Sequence, residues 1–171
     1  MCQVTFIPHI TWAYNIKQAV QIRLKDCDAQ NWHAELYENS QCTFYRMIKD
    51  QLSIDKHVTL LSDKELIVYN RFICRNHQLP IAKIRFQDHA VDPSSHDRAA
   101  RCHLCNLGDV GDEFHYLLKC THFENERSTY LGQKCFRNAN VYTVQRALKP
   151  STRSKAKKLI QFIMYIGKYF K

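Results

Sequence analysis

A mainly α-helical fold is what this sequence predicts, and three observations predict it. The 171 residues include only four Gly and four Pro, unclustered, so long regular elements with few hinges are expected. Apolar residues recur at spacings of three and four in several segments. Helix-start signals precede two of those segments, Ser62-Asp63-Lys64-Glu65 and Asn140. Hydrophobic residues make up 45% of the chain, enough for a core, so disorder is not the default reading.

Residues 10–38 read as one long amphipathic helix. Ile16, Val20, Leu24 and Cys27 share a face, Lys17, Arg23 and Lys25 lie off it, and Trp32 and Leu36 continue an apolar edge. Residues 42–48 fit a strand or a helical turn equally well. The capping box at Ser62 opens a helix to about Asn76, with Leu66, Tyr69 and Ile73 on its buried face and Phe72 beside them. Pro80 ends any helical run. Residues 86–100 are polar and loop-like. The expected organisation is therefore a helical region over 1–85, a linker over 86–101, and a second region over 102–171.

In that second region a helix is expected from about Asp112 or Glu113, carrying Phe114, Leu117 and Leu118. Another runs from about Phe123 to Leu131. A third starts at Asn140, buries Val141, Val144 and Leu148, and stops at Pro150. The last, 152–170, carries Leu159, Phe162, Ile163 and Ile166 on one side, while Lys155, Lys157, Lys158 and Lys168 line much of the rest.

Lys and Arg number 25 against 16 Asp and Glu, a formal charge of +9. Such a balance favours polyanionic partners, nucleic acid before an acidic membrane surface. No stretch approaches the roughly 18 consecutive apolar residues of a membrane span. The start, MCQVTFIPHITWAY, lacks the basic end and apolar run of a secretory signal. An intracellular place, nuclear or cytoplasmic and not secreted, is expected.

Three of the eight cysteines fall within CHLCNLGDVGDEFHYLLKC, residues 102–120. In a reducing compartment this pattern reads as metal binding. Cys102 and Cys105, separated by two residues, can reach one ion from a tight turn. Gly108 and Gly111 let the loop fold back, His115 sits on the first turns of a helix, and Cys120 follows beyond its end. Three thiolates and one imidazole suit zinc, fill its tetrahedron and make a structural site. His103 and His122 are the competing imidazoles, and His103 is awkwardly placed between two ligand cysteines. Cys2, Cys27, Cys42, Cys74 and Cys135 lack partners at ligand spacing. Asp109, Asp112 and Glu113 read as a solvated acidic turn.

This segment resembles the C-terminal zinc-binding region of non-LTR (LINE-type) retrotransposon reverse transcriptases. The likeness rests on Leu104-Cys105-Asn106, Asp109 and Asp112, Glu113-Phe114-His115 and Leu117-Leu118-Lys119-Cys120. Cys42 to Arg46, Phe72 to Pro80 (FICRNHQLP) and Phe136 to Val141 extend it over about residues 18–171. Where that family usually has a Gly-Arg pair, this chain reads Lys83-Ile84-Arg85-Phe86. No Asp-Asp polymerase motif occurs, and there is no room for a polymerase palm or an endonuclease domain. The resemblance implies a non-catalytic tail that contacts RNA or target DNA, as a fragment or stand-alone derivative, and not an enzyme in its own right.

For that contact, Lys64, Arg71 and Arg75 form a stripe opposite the apolar face of the capped helix. Lys83, Arg85, Arg98 and Arg101 follow toward the cysteine loop, and His103 and Tyr116 are candidates for stacking on unpaired bases. A protein-interaction scaffold stabilised by zinc, or a retroelement relic, is the alternative.

Overall fold

The computed structural model describes residues 9–39, 42–49, 51–84, 100–133, 136 and 138–170, with side chains from Asn15 onward. The chain divides into two units, Met1–Asn39 and Ser40–Lys171.

In the first unit, α1 spans His9–Glu38, 30 residues, matching the expected length. Its apolar stripe is not a buried one. Ile16, Val20 and Leu24 are all exposed, and Ile22 is exposed on the other side. Positions four apart do share a face, but among the described residues of its unit nothing else is present to cover it.

The second unit begins with α2 (Thr43–Ile48), so residues 42–48 are helical; Phe44 and Ile48, four apart, are its buried pair. A 3-10 turn at Lys56–Leu60 leads to α3 (Asp63–Ile73). The Glu65 carboxylate accepts from the Ser62 backbone N–H at 2.8 Å and from the Ser62 hydroxyl at 2.7 Å. The Arg153 guanidinium donates to the same oxygen, and these bonds, that of Arg153 first, hold the Glu65 carboxyl down at about 2. Tyr69, Phe72 and Ile73 are buried as expected, with Leu66 partly so.

Helix α3 stops at Ile73, before the expected Asn76, because Arg75 takes a left-handed conformation with φ 58°. Pro80 then opens a helix, α4 (Pro80–Ile84), where sequence alone reads a stop. Both statements have one cause: proline lacks an N–H, which forbids the helix interior and costs nothing at the first position.

After the loop at 100–111 come a π-helical turn (His115–Lys119), a 3-10 turn (Thr121–Phe123) and three helices. These are α5 (Glu124–Leu131), α6 (Val141–Leu148) and α7 (Arg153–Gly167), continued by a 3-10 turn at Lys168–Phe170. Asn140 caps α6 by accepting the Thr143 N–H at 3.0 Å. Val144, Ala147 and Leu148 face inward; Val141, expected with them, is exposed. Val141 sits at the first helical position, three residues before Val144 but beyond the edge of the packed surface.

Helix α7 is the hub: α3 and α5 both pack on it, while α2 packs on α6. Its inner face is Ala156, Leu159, Ile160, Phe162, Ile163 and Ile166. The Tyr69 hydroxyl donates to the Leu148 carbonyl at 2.9 Å, and the Gln145 amide to the Met47 carbonyl at 2.8 Å, tying α3 to α6 and α6 to α2. Elements on either side of the expected linker thus share one core, and the boundary found lies after Asn39, not at 86–101. At the centre of that core are Tyr116, Leu117 and Phe123, each 0% exposed. The cysteine and histidine segment is the middle of the unit, not an appendage to it.

Candidate metal centre

The loop at 100–111 closes on itself through backbone bonds. Gly111 N–H donates to the Ala100 carbonyl at 2.6 Å, and Cys102 N–H to the Asp109 carbonyl at 2.9 Å. Arg101 and Val110 form an antiparallel bridge between them. Two glycines make this turn possible for different reasons. Gly108 has φ 69°, a conformation that disfavours any Cβ. At Gly111 the obstacle is space: an added Cβ would lie 2.6 Å from the Tyr116 hydroxyl and 3.2 Å from the Ala100 carbonyl oxygen.

The helix that follows starts on Asp112, whose carboxylate accepts the His115 N–H at 2.7 Å. It then widens. Cys120 N–H donates to the His115 carbonyl at 2.8 Å, five residues back. In an α-helix, side chains five apart point roughly 140° from each other. The π turn removes most of that angle, so His115 and Cys120 reach the same point. Such widened turns concentrate at functional sites.

There the four expected residues meet. One donor atom each from Cys102, Cys105, His115 and Cys120 lies within 4.8 Å of every other, a group able to hold a metal ion. Cys102 Sγ and Cys120 Sγ are 3.8 Å apart, and Cys105 Sγ and His115 Nε2 are 3.4 Å apart. The competing imidazoles point elsewhere: His103 lies against Phe170, and His122 against Phe123 and Tyr169. Cys27, Cys42 and Cys74 are free and outside the group; Cys2 and Cys135 lie outside the described residues.

The surroundings favour bound metal. Burial lowers the His115 pKa, keeping the imidazole neutral, as a ligand must be. Burial, followed by the neighbouring Cys102, pushes the Cys120 thiol up to about 12 when no cation is present. Two buried polar atoms lack a hydrogen-bond partner, His115 Nδ1 and the Tyr116 hydroxyl, and both belong to this centre. Each gains a role when an ion is bound. With Nε2 on the ion, the Nδ1–H faces the Asp109 carboxylate, 3.6 Å away. The Tyr116 hydroxyl lies beside Cys102, where it can donate to a metal-bound thiolate.

Two buried charges that sequence reasoning missed hold the centre from behind. Arg127, 2% exposed, donates from Nε to the Leu117 carbonyl at 2.9 Å, and from Nη2 to the Cys120 carbonyl at 2.6 Å and the Tyr116 carbonyl at 3.4 Å. Glu113, also 2% exposed, accepts from Arg75 Nε at 3.0 Å and lies 2.7 Å from His77 Nε2. Burial pushes the Glu113 carboxyl up, but the His77 hydrogen bond and the Arg75 charge hold it below the usual carboxylate value. Glu113 is therefore no solvated turn residue, and only Asp109 of the three acids is substantially exposed. The sole sequence signal was position: Glu113 lies two residues from a ligand.

Glu113→Gln should lower unfolding stability at pH 7 by about 3 kcal/mol, because it leaves the Arg75 guanidinium unpaired at a largely buried site. Urea denaturation of the metal-loaded chain measures this. A loss below 0.5 kcal/mol would mean that the network carries little of the fold.

The expected nucleic-acid residues separate. Lys64, Arg71, Lys83 and Arg101 are exposed. Arg75 leaves the stripe: it lies past the end of α3, turned inward by its positive φ, and is committed to Glu113. A left-handed residue other than Gly costs about 1–2 kcal/mol, which the ion pair offsets. Tyr116 is fully buried, so it cannot stack on a base. Arg85 and Arg98 lie outside the described residues. Among the described residues no helix is long and apolar enough to cross a membrane.

No protein-family model, curated protein or solved structure matches this chain, so the centre is read from its own geometry.

Proposed function

We propose that this chain is a zinc-stabilised, non-catalytic nucleic-acid-binding domain, comparable to the C-terminal tail of a LINE-type reverse transcriptase. The observation that carries the reading is the meeting of three sulfurs and one imidazole at the core of a chain with net charge +9.

Zinc fits the spacing. Bonds of about 2.3 Å to sulfur and 2.0–2.1 Å to nitrogen imply tetrahedral edges of about 3.8 Å between sulfurs and about 3.6 Å from sulfur to nitrogen. The pairs here stand at 3.8 Å and 3.4 Å. Four protein ligands leave zinc no open position, which favours a structural role over catalysis. Charge supports the second half of the reading. Lys64, Arg71, Lys83 and Arg101 are exposed, as are Lys155, Lys157 and Lys158 on α7. Phosphate contacts made by such residues gain affinity from counterion release.

Elemental analysis should find one zinc per chain. Binding to single-stranded RNA, duplex DNA and a DNA–RNA hybrid should weaken with salt. Changing Lys64 and Arg71 to Gln should lower affinity for all sequences alike and flatten the log-affinity against log-salt slope by roughly 0.7–0.9 per lost contact. A slope near zero for all three nucleic acids would favour a protein-interaction scaffold, for which the exposed Ile16, Val20 and Leu24 of α1 are the supporting observation.

A further inference from the structure

Between the C-terminal end of α3 and that of α7 lies a cleft of about 400 Å³. Its floor includes Phe72, Leu79, Ile163 and Phe170, all buried. Its rim carries Arg71, Asn76 and Gln78, all exposed, and among the described residues no acidic side chain lines it. Among the described residues, the side chains of these three make no hydrogen bond or ion pair.

We propose that this cleft receives one unpaired nucleobase of a single strand, with Arg71 on the adjoining phosphate. The inference rests on the nucleic-acid reading above and gives it a place. An aromatic and aliphatic floor suits the face of a base, which is apolar and tolerant of sequence. An amide offers a donor and an acceptor side by side, the pattern that matches the edge of a base freed from its pair. Two amides and one cation at the rim, without a carboxylate, complement a base and its phosphate.

The segment carrying the amides is held in place rather than free. Arg75 and His77, which flank Asn76, both bind the buried Glu113. The Leu79 N–H donates to His77 Nδ1 at 3.3 Å, closing the turn after Gln78. Glu113 is two residues from the ligand His115, so the metal helix positions the rim. Base binding here depends on bound metal, although no residue of the cleft is a ligand.

The test uses the full zinc-loaded chain and a fluorescein-labelled 12-nucleotide RNA, with a blunt DNA duplex of equal length as comparison. Changing Asn76 and Gln78 together to Ala is expected to weaken single-strand binding about tenfold, with duplex binding, zinc content and melting temperature unchanged. A Met164→Trp reporter at the exposed edge of the cleft should be quenched by the single strand and not by the duplex. Equal single-strand affinity for the Ala variant and the wild type overturns the proposal, and so does an equal loss on the duplex, which would mark a general surface contact. Those results leave the nucleic-acid reading standing. Absence of binding to either probe by the wild-type chain removes that reading, and the cleft proposal with it.

Discussion

Removing zinc with a strong chelator is expected to unfold the core of residues 40–171, not only the loop that holds the ion. Ligand binding at small structural sites contributes on the order of 10 kcal/mol to folding, against a total stability of about 5–15 kcal/mol for an ordinary domain. Here the ligand segment also supplies Tyr116, Leu117, Leu118 and Phe123, all essentially inaccessible to solvent, to the surface on which α5 and α7 pack. Without a cation, three sulfurs crowd together in a buried place, and Cys120 must be protonated to stay there. Releasing them lets the π turn relax and takes those four side chains out of the core. Circular dichroism should lose much of its helical signal on chelation, and a dye that binds exposed apolar surface should brighten. Cys105→Ala and His115→Ala should lower zinc content toward zero and give the same signature, while Cys27→Ala should change neither. A chelated chain with native ellipticity and an unchanged urea midpoint would sink the structural-zinc reading.

Arg127 is expected to be the most sensitive position outside the ligands. Its guanidinium satisfies three carbonyls at the end of the π turn and lies over the Phe136 ring, with no carboxylate partner among the described residues. Burial lowers its pKa, and the Cys120 and Glu124 charges oppose that. Three thiolates around a dication leave one net negative charge, which the buried guanidinium beside Cys120 helps to compensate. Arg127→Met keeps much of the volume but removes the side-chain donor from three buried carbonyls, of which that of Cys120 keeps the Phe123 N–H at 3.3 Å, at about 3–5 kcal/mol. Arg127→Lys keeps the charge but cannot span three acceptors with one ammonium, and should fall between. Urea denaturation measures the stability, and competition with a chromogenic chelator measures zinc affinity, which should fall in the same order. Wild-type stability in the Met variant would show that water replaces the guanidinium.

Fold class and the Cys/His cluster were legible in the sequence because both rest on local patterns. Helical period marks α3 and α7, Asn140 and Ser62 mark two helix starts, and the spacing of Cys102, Cys105, His115 and Cys120 within 19 residues marks four side chains that could hold a metal ion. For α1 the pattern gave the helix and the shared face of Ile16, Val20 and Leu24, but not whether anything covers that face. The same patterns misread Arg75, where a helical count was carried past the residue that leaves the helix.

The sequence by itself therefore determined a helical chain, a basic charge and a Cys/His cluster that could hold a metal ion. Tertiary structure alone decided that Arg127 and Glu113 are interior charges, that Tyr116 is buried, and that residues on both sides of 86–101 build one core. The reason is physical. A charged residue in a polar helix such as Glu124–Leu131 looks solvated until its partners are known, and the partners of Arg127 are backbone carbonyls, which every residue carries and no sequence pattern distinguishes.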